Sequence, residues 1–198
     1  LGIEDIIVQA KRTGIDFIAI TDHDTMSSIN RAKILGERYG VQTIPGVELS
    51  AWDKTRSRKV HILCYAPQKP DRLEGLCLKC CEIRKQCANE MVQNVMKKFP
   101  ITPESVLKYA TGSKSIFKQH IMHALIDYGY TTHFYGKLNN ELFNLETGSC
   151  IVEREYPDVN FVLDLIHSAG GVAVMAHPVY YNSIDLLKEL AEKKKIDG

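Results

Sequence analysis

Four residues of this sequence carry side chains of the kind that bind transition metals, and each lies on a strand-like apolar segment, three of them at its C-terminal end. His23 stands in FIAITDHDT (residues 17–25), Glu48 follows TIPGV, His61 lies within KVHILCY, and His177 follows GVAVMA. Imidazole and carboxylate are the ligand types that hold Zn, Mn or Fe. Asp22 and Asp24 flank His23 and could serve as ligands, orient the ring from outside, or move a proton. A buried strand cannot hold three adjacent ionisable residues without a large desolvation cost. The polar run Thr21–Thr25 must therefore sit where the strand ends. Each residue also has a plainer reading. His23 could cap the next helix with Asp24, Glu48 could pair with a surface lysine, His61 could be a satisfied core histidine, and His177 could be a turn residue before Pro178. The systematic placement on four strand-like segments favours one shared site over four separate accidents.

The remaining chemistry-bearing residues are less pointed. His120 and His123 are spaced to share a helix face, and Lys118 precedes them. That face is either a contact for a substrate anion or a solvated surface. His167 falls in the last turn of a helix, where a cation suits the dipole. Four of the six cysteines crowd into CLKCCEIRKQC, residues 77–87. Cys77 and Cys80 have metal-like spacing, with Cys81 beside them. No matching pair of ligands follows at finger-like spacing, so the stretch reads as small core residues on one helix face. There is no phosphate-cradling glycine loop and no Gly-x-Ser-x-Gly elbow.

The elements that must position these residues alternate. Residues 3–13 read as a helix ended by Gly14, 15–20 as a strand of the sort a parallel sheet buries on both faces, 26–40 as a helix, 41–51 as a strand and 58–66 as a third. Such alternation predicts a parallel sheet with helical crossovers and places the polar residues at its C-terminal rim. From 71 to about 130 the periods are helical, with Thr102 and Pro103 set to start one helix. Residues 131–150 read as loop with a short helix. Helix, strand and helix then resume over 156–169, 172–178 and 182–195. The predicted division is 1–66, a helical insertion over 67–154, and 155–198.

Composition sets outer limits. With 25 basic and 24 acidic residues in 198, the net charge of +1 offers no electrostatic case for a membrane or stable duplex nucleic-acid partner. No apolar run reaches the roughly 18 residues of a membrane span. The cysteine usage and lack of an export signal lead to a cytoplasmic expectation with reduced thiols. The opening LGIEDIIVQAKRTG reads as a helix already under way, without an initiator Met, so an upstream segment is expected.

ITDHDT, IPGVELSA, KVHILCYA and VMAHP, in that order, resemble the PHP (polymerase and histidinol phosphatase) family of metal-dependent phosphoesterases. The likeness covers roughly 1–66 and 155–198. It implies an α/β fold, a distorted (β/α)7 TIM-like barrel of PHP type, here partial, with a mostly helical inserted subdomain. It implies two or three divalent ions in the complete protein, of Mn, Zn or Fe, with His23, Glu48, His61 and His177 at metal-ligand positions. Asp22 or Asp24 would act in proton transfer. The insertion resembles that of the branch acting on nucleotides and short oligonucleotides, where Lys118 (usually Arg) and His120 match a substrate-contacting helix start. The implied reaction is hydrolysis of phosphate esters of such substrates. The family's opening His-x-His strand and closing Asp-x-His motif have no counterpart, so the chain is expected to be a fragment with little activity of its own. Two rival expectations are a non-catalytic metal-binding scaffold and an accessory domain of a DNA polymerase. The insertion speaks against the second.

Overall fold

The computed structural model describes residues 2–198 and contains two compact units. The first comprises residues up to Cys80 together with Glu155–Gly198, and the second comprises Cys81–Arg154.

The first unit is built on a four-stranded sheet in the order β1 (Phe17–Ile20), β2 (Gln42–Asp53), β3 (Arg58–Tyr65) and β4 (Val172–Ala176). Only β1 and β2 are parallel, and the pairs β2–β3 and β3–β4 are antiparallel. The expected all-parallel sheet is thus corrected to a mixed one. The reason is connection length: Asp53 pairs with Arg58 across the turn at 54–57, and so short a link can only reverse the chain, whereas a parallel crossover needs a dozen or more residues. The expectation that the first strand is buried on both faces also fails. β1 is an edge strand among the described residues, and its Phe17 is 59% exposed.

Helices α1 (Ile3–Arg12) and α2 (Ile29–Tyr39) pack together, with Ile7, Ala10, Ala32 and Leu35 meeting Val41, Ile18 and Ile20 in one apolar cluster. α2 ends as its sequence demands, on Gly40 in the left-handed region at φ 69°. After β3 a short 3-10 turn (Pro70–Leu73) leads into α3 (Glu74–Met96), within which the division between the units falls. α4 (Pro103–Leu107), α5 (Lys118–Asp127) and α6 (Lys137–Phe143) follow in the second unit, α4 starting as expected with Thr102 accepting from the Ser105 amide at 3.3 Å. Its core gathers Met91, Val95, Val106, Ile121, Leu125, Leu142 and Phe143. Cys77 and Cys80 are buried and Cys81 is half-buried.

α7 (Val159–Ser168) returns the chain to the sheet and packs on β2, β3 and β4 through Val159, Val162, Leu163 and Ile166. Burial of each of these side chains is worth about 1.5–3 kcal/mol. The backbone joins in where Trp52 donates to the Pro157 carbonyl at 2.9 Å. α8 (Ile184–Glu192) follows β4, and the last residues run beside β4, where Asp197 donates to Ala173 O at 2.8 Å and Met175 to Gly198 O at 2.9 Å. No described helix is long and apolar enough to cross a membrane.

The α7–β4 corner leaves no room for a side chain at Gly171. A Cβ there would lie 2.6 Å from Cys64 Sγ and 3.3 Å from the Ile166 side chain, and Cys64 is fully buried. Burial also pushes the Cys64 thiol up to about 11, so it is a neutral packing group. Gly171→Ala is expected to lower stability by about 1–3 kcal/mol through overpacking. Urea unfolding measures this, and an unchanged midpoint would show that the corner yields.

Candidate metal centre

β2 organises the site. Glu48 and Ser50 share one face of the strand by its two-residue period. Across the β2–β3 pair Glu48 stands opposite Leu63 and Ser50 opposite His61, so Glu48 and His61 are diagonal neighbours on the same face. On the other side of β2, the chain leaving β1 stays attached to it. Glu48 donates its amide to Asp22 O at 3.2 Å, and Asp24 donates to Glu48 O at 2.9 Å. These two bonds bracket Glu48 and set His23 beside it. On the far side of β3, Ala176 pairs with His61, which brings His177 to the same place.

Three imidazole nitrogens thereby converge on one carboxylate oxygen. From Glu48 Oε1, His61 Nδ1 lies at 2.7 Å, His177 Nε2 at 3.5 Å and His23 Nε2 at 3.7 Å. His61 Nδ1 and His177 Nε2 are 3.0 Å apart. The His61 ring also meets those of His23 and Tyr181 edge to face, at 4.7 and 4.9 Å between centroids. Side-chain exposure grades across the group, from 4% at His61 and 15% at Glu48 to 27% at His23 and 43% at His177. The cluster therefore has a closed floor and an open side.

The donor set fits a divalent cation. Glu48 Oε1 is buried yet makes no hydrogen bond of good geometry, despite three ring nitrogens within 3.7 Å. Among the described residues, His23, Glu48 and His61 are the group of three or more such side chains with ligand atoms all within 4.8 Å of one another. His177 extends it on the open side. Among the described residues no such group includes a cysteine, and Cys77, Cys80 and Cys87 of the helix are buried.

The two aspartates beside His23 have different surroundings. Asp22 is exposed. Asp24 is fully buried, adopts φ 55°, and accepts from Ser50 twice, its Oδ1 from the amide at 2.7 Å and its Oδ2 from the hydroxyl at 2.9 Å. These two bonds tie the turn that presents His23 to β2. Lys118 and His120 lie at the start of α5 in the second unit. The Lys118 ammonium donates to Phe143 O at 3.3 Å, and burial holds its pKa below the usual lysine range. His120 Nδ1 accepts from the Phe117 amide at 3.1 Å, and burial followed by the nearby His123 lowers its pKa. Both therefore have local bonds at a helix start. His123 stacks on Tyr109 at 4.3 Å, so the helix face is neither bare nor fully solvated.

Sequence reasoning overlooked three features. Ser50 gives no hint of its role, because a serine in a strand looks unremarkable. Tyr181 could have been noticed as an aromatic four residues beyond His177. The charged turn Asp53–Arg58 could have been noticed for its one acid among three bases.

An α/β fold carrying a half-open cluster of three histidines and a glutamate is the outline of a metal-dependent hydrolase. No family model matches the chain. It is 36% identical over 193 residues to a phosphoribosyl 1,2-cyclic phosphate 1,2-diphosphodiesterase of Eggerthella lenta, covering 96% of this chain and 72% of that protein. It is 30% identical over 194 residues to the 5'-3' exoribonuclease Rnm of Escherichia coli, covering 94% of this chain and 64% of the other. A solved structure from Bifidobacterium adolescentis, described as a metal-dependent phosphoesterase, superposes with a TM-score of 0.78 at 24% identity, over 88% of this chain and 61% of that one. The chain belongs to the PHP family of metal-dependent phosphoesterases.

Proposed function

We propose that the protein hydrolyses phosphate esters of nucleotides or short oligonucleotides, with His23, Glu48, His61 and His177 as metal ligands. The observation that carries this reading is the approach of three ring nitrogens to within 3.7 Å of Glu48 Oε1. The substrate class is taken from the names of the two relatives, a phosphoribosyl 1,2-cyclic phosphate 1,2-diphosphodiesterase and a 5'-3' exoribonuclease. As to fold, the mixed four-stranded sheet is assigned to the distorted (β/α)7 barrel that the family resemblance implies, and the likeness to the Bifidobacterium adolescentis structure supports this.

Divalent ions of Mn, Zn or Fe held there would lower the pKa of water and neutralise charge building on a phosphoryl group. The chain's own residues do the rest. Glu48 supplies the anionic centre of the ligand set, and buried His61 fixes the floor against which it sits. His23 and His177 leave the open side for the phosphate. Exposed Asp22 is assigned to proton exchange with the leaving group, while Asp24 holds the turn. Lys118 and His120, on the helical insertion proposed for 67–154, are assigned to a second phosphate of the substrate.

The test is a panel of a nucleoside bisphosphate, a ribose cyclic phosphate and a short oligoribonucleotide, given to the encoded protein with MnCl2. Release of phosphate or mononucleotide that stops on chelation is expected. Stoichiometric metal binding with no turnover of any of the three would replace this reading with a non-catalytic metal-binding scaffold.

A further inference from the structure

His177 is the most exposed of the four clustered residues, and it sits on the most contorted backbone. Its φ is 32°, and Asn182 in the same loop has φ 49°. Non-glycine residues persist in that region only where surrounding contacts over-determine them. Part of the restraint is local. Ser183 is fully buried, its amide donates to Pro178 O at 2.7 Å, and its hydroxyl donates to the same carbonyl at 3.1 Å.

The rest of the restraint comes from the β2–β3 turn, distant in sequence. Arg58 donates through one terminal nitrogen to the Asn182 carbonyl and through the other to Asp185, at the start of α8. Its Nε reaches Asp53 Oδ2 at 3.2 Å. Arg56 binds the same Asp53 oxygen at 3.2 Å, Asp185 Oδ2 at 2.7 Å and Glu189 Oε2 at 2.7 Å. Asp53 is 2% exposed. Isolated surface ion pairs contribute little, but this is a forked network closed on a buried carboxylate. It also starts from the strands that carry the other ligands: Asp53 follows Glu48 on β2, and Arg58 precedes His61 on β3.

We propose that Arg58, braced by Asp53, Arg56 and Asp185, is a positioning residue for His177, holding the loop 177–183 so that its imidazole stays in register with Glu48 and His61. This rests on the reading of His177 as a metal ligand. The network's carboxyls are consistent with tight pairing. Contacts with Lys193 and then Arg56 hold Glu189 down at about 2, and Arg58 first of all holds Asp185 below its usual range.

The test is titration of the chain with cobalt(II), read by its visible absorption, in a double-mutant cycle of Arg58→Ala and His177→Ala. Arg58→Ala is expected to raise the dissociation constant about tenfold, the scale on which groups orienting a ligand act. In the His177→Ala background the same change is expected to add less than about twofold, since nothing remains to be positioned. Arg58→Lys is expected to recover only part of the loss, because an ammonium cannot span three acceptors as a guanidinium does. Asp185→Asn, at an exposed helix start, supplies the same comparison where Arg58→Ala does not fold. An equal loss in both backgrounds, or no loss on Arg58→Ala or its Asp185→Asn substitute while His177→Ala weakens binding, overturns the clamp alone. Unchanged cobalt binding on His177→Ala removes the ligand assignment, and the clamp with it.

Discussion

Glu48→Gln is expected to abolish phosphoester hydrolysis and to weaken divalent-metal binding by more than about 100-fold, exceeding the 10–100-fold that partners outside the ligand set cost. The carboxylate is the only anion among the four clustered side chains, and one of its oxygens faces three imidazole nitrogens within 3.7 Å. An amide of the same shape keeps the contacts and removes the charge that offsets the ion. Metal-free stability should move little, since Glu48 contributes charge to the cluster and no apolar surface to the core. Melting temperature with and without MnCl2 separates the two effects. A ligand at 100 times its dissociation constant adds about 2.7 kcal/mol to the native state, and that increment should vanish in the variant. A Glu48→Gln protein that still gains stability from the metal and still turns over would remove the cluster from the mechanism.

Asp24→Ala should act through the fold. It deletes two short bonds to Ser50 from a fully buried carboxylate, and the expected loss is about 2–4 kcal/mol of unfolding free energy, read by urea denaturation. Asp24→Asn, which keeps an acceptor for the Ser50 amide, should lose less. Asp22→Ala gives the opposite profile. The side chain is exposed, so stability should change by less than about 0.5 kcal/mol, while loss of a proton shuttle slows hydrolysis by roughly 10²–10⁴. If Asp24→Ala is as stable as the parent but inactive, Asp24 belongs to the chemistry and the turn is held by other means.

These contrasts separate what was readable in the sequence from what was not. The ligand types, the strand-like segments that carry them and the caps at Gly40 and Thr102 follow from local chemistry, because periodicity, desolvation and backbone freedom act over a few residues. The resemblance of four short motifs to the PHP family was legible for the same reason. The sheet's direction was a partial exception. An apolar run reads alike in parallel and antiparallel pairs, and only the short 54–57 turn argued against a crossover.

Tertiary structure alone decided which of the two aspartates flanking His23 is buried and bonded to Ser50. Asp22 and Asp24 are indistinguishable by type and nearly so by position. Their fates part because the backbone at Asp24 turns to φ 55° and meets Ser50, a residue on another strand. The guanidinium fork of Arg58 was likewise unreadable, since its partners Asn182 and Asp185 lie far along the chain. Charges that join elements distant in sequence leave no periodic mark, and their pairing exists only once β3 and β4 have brought His61 and His177 together.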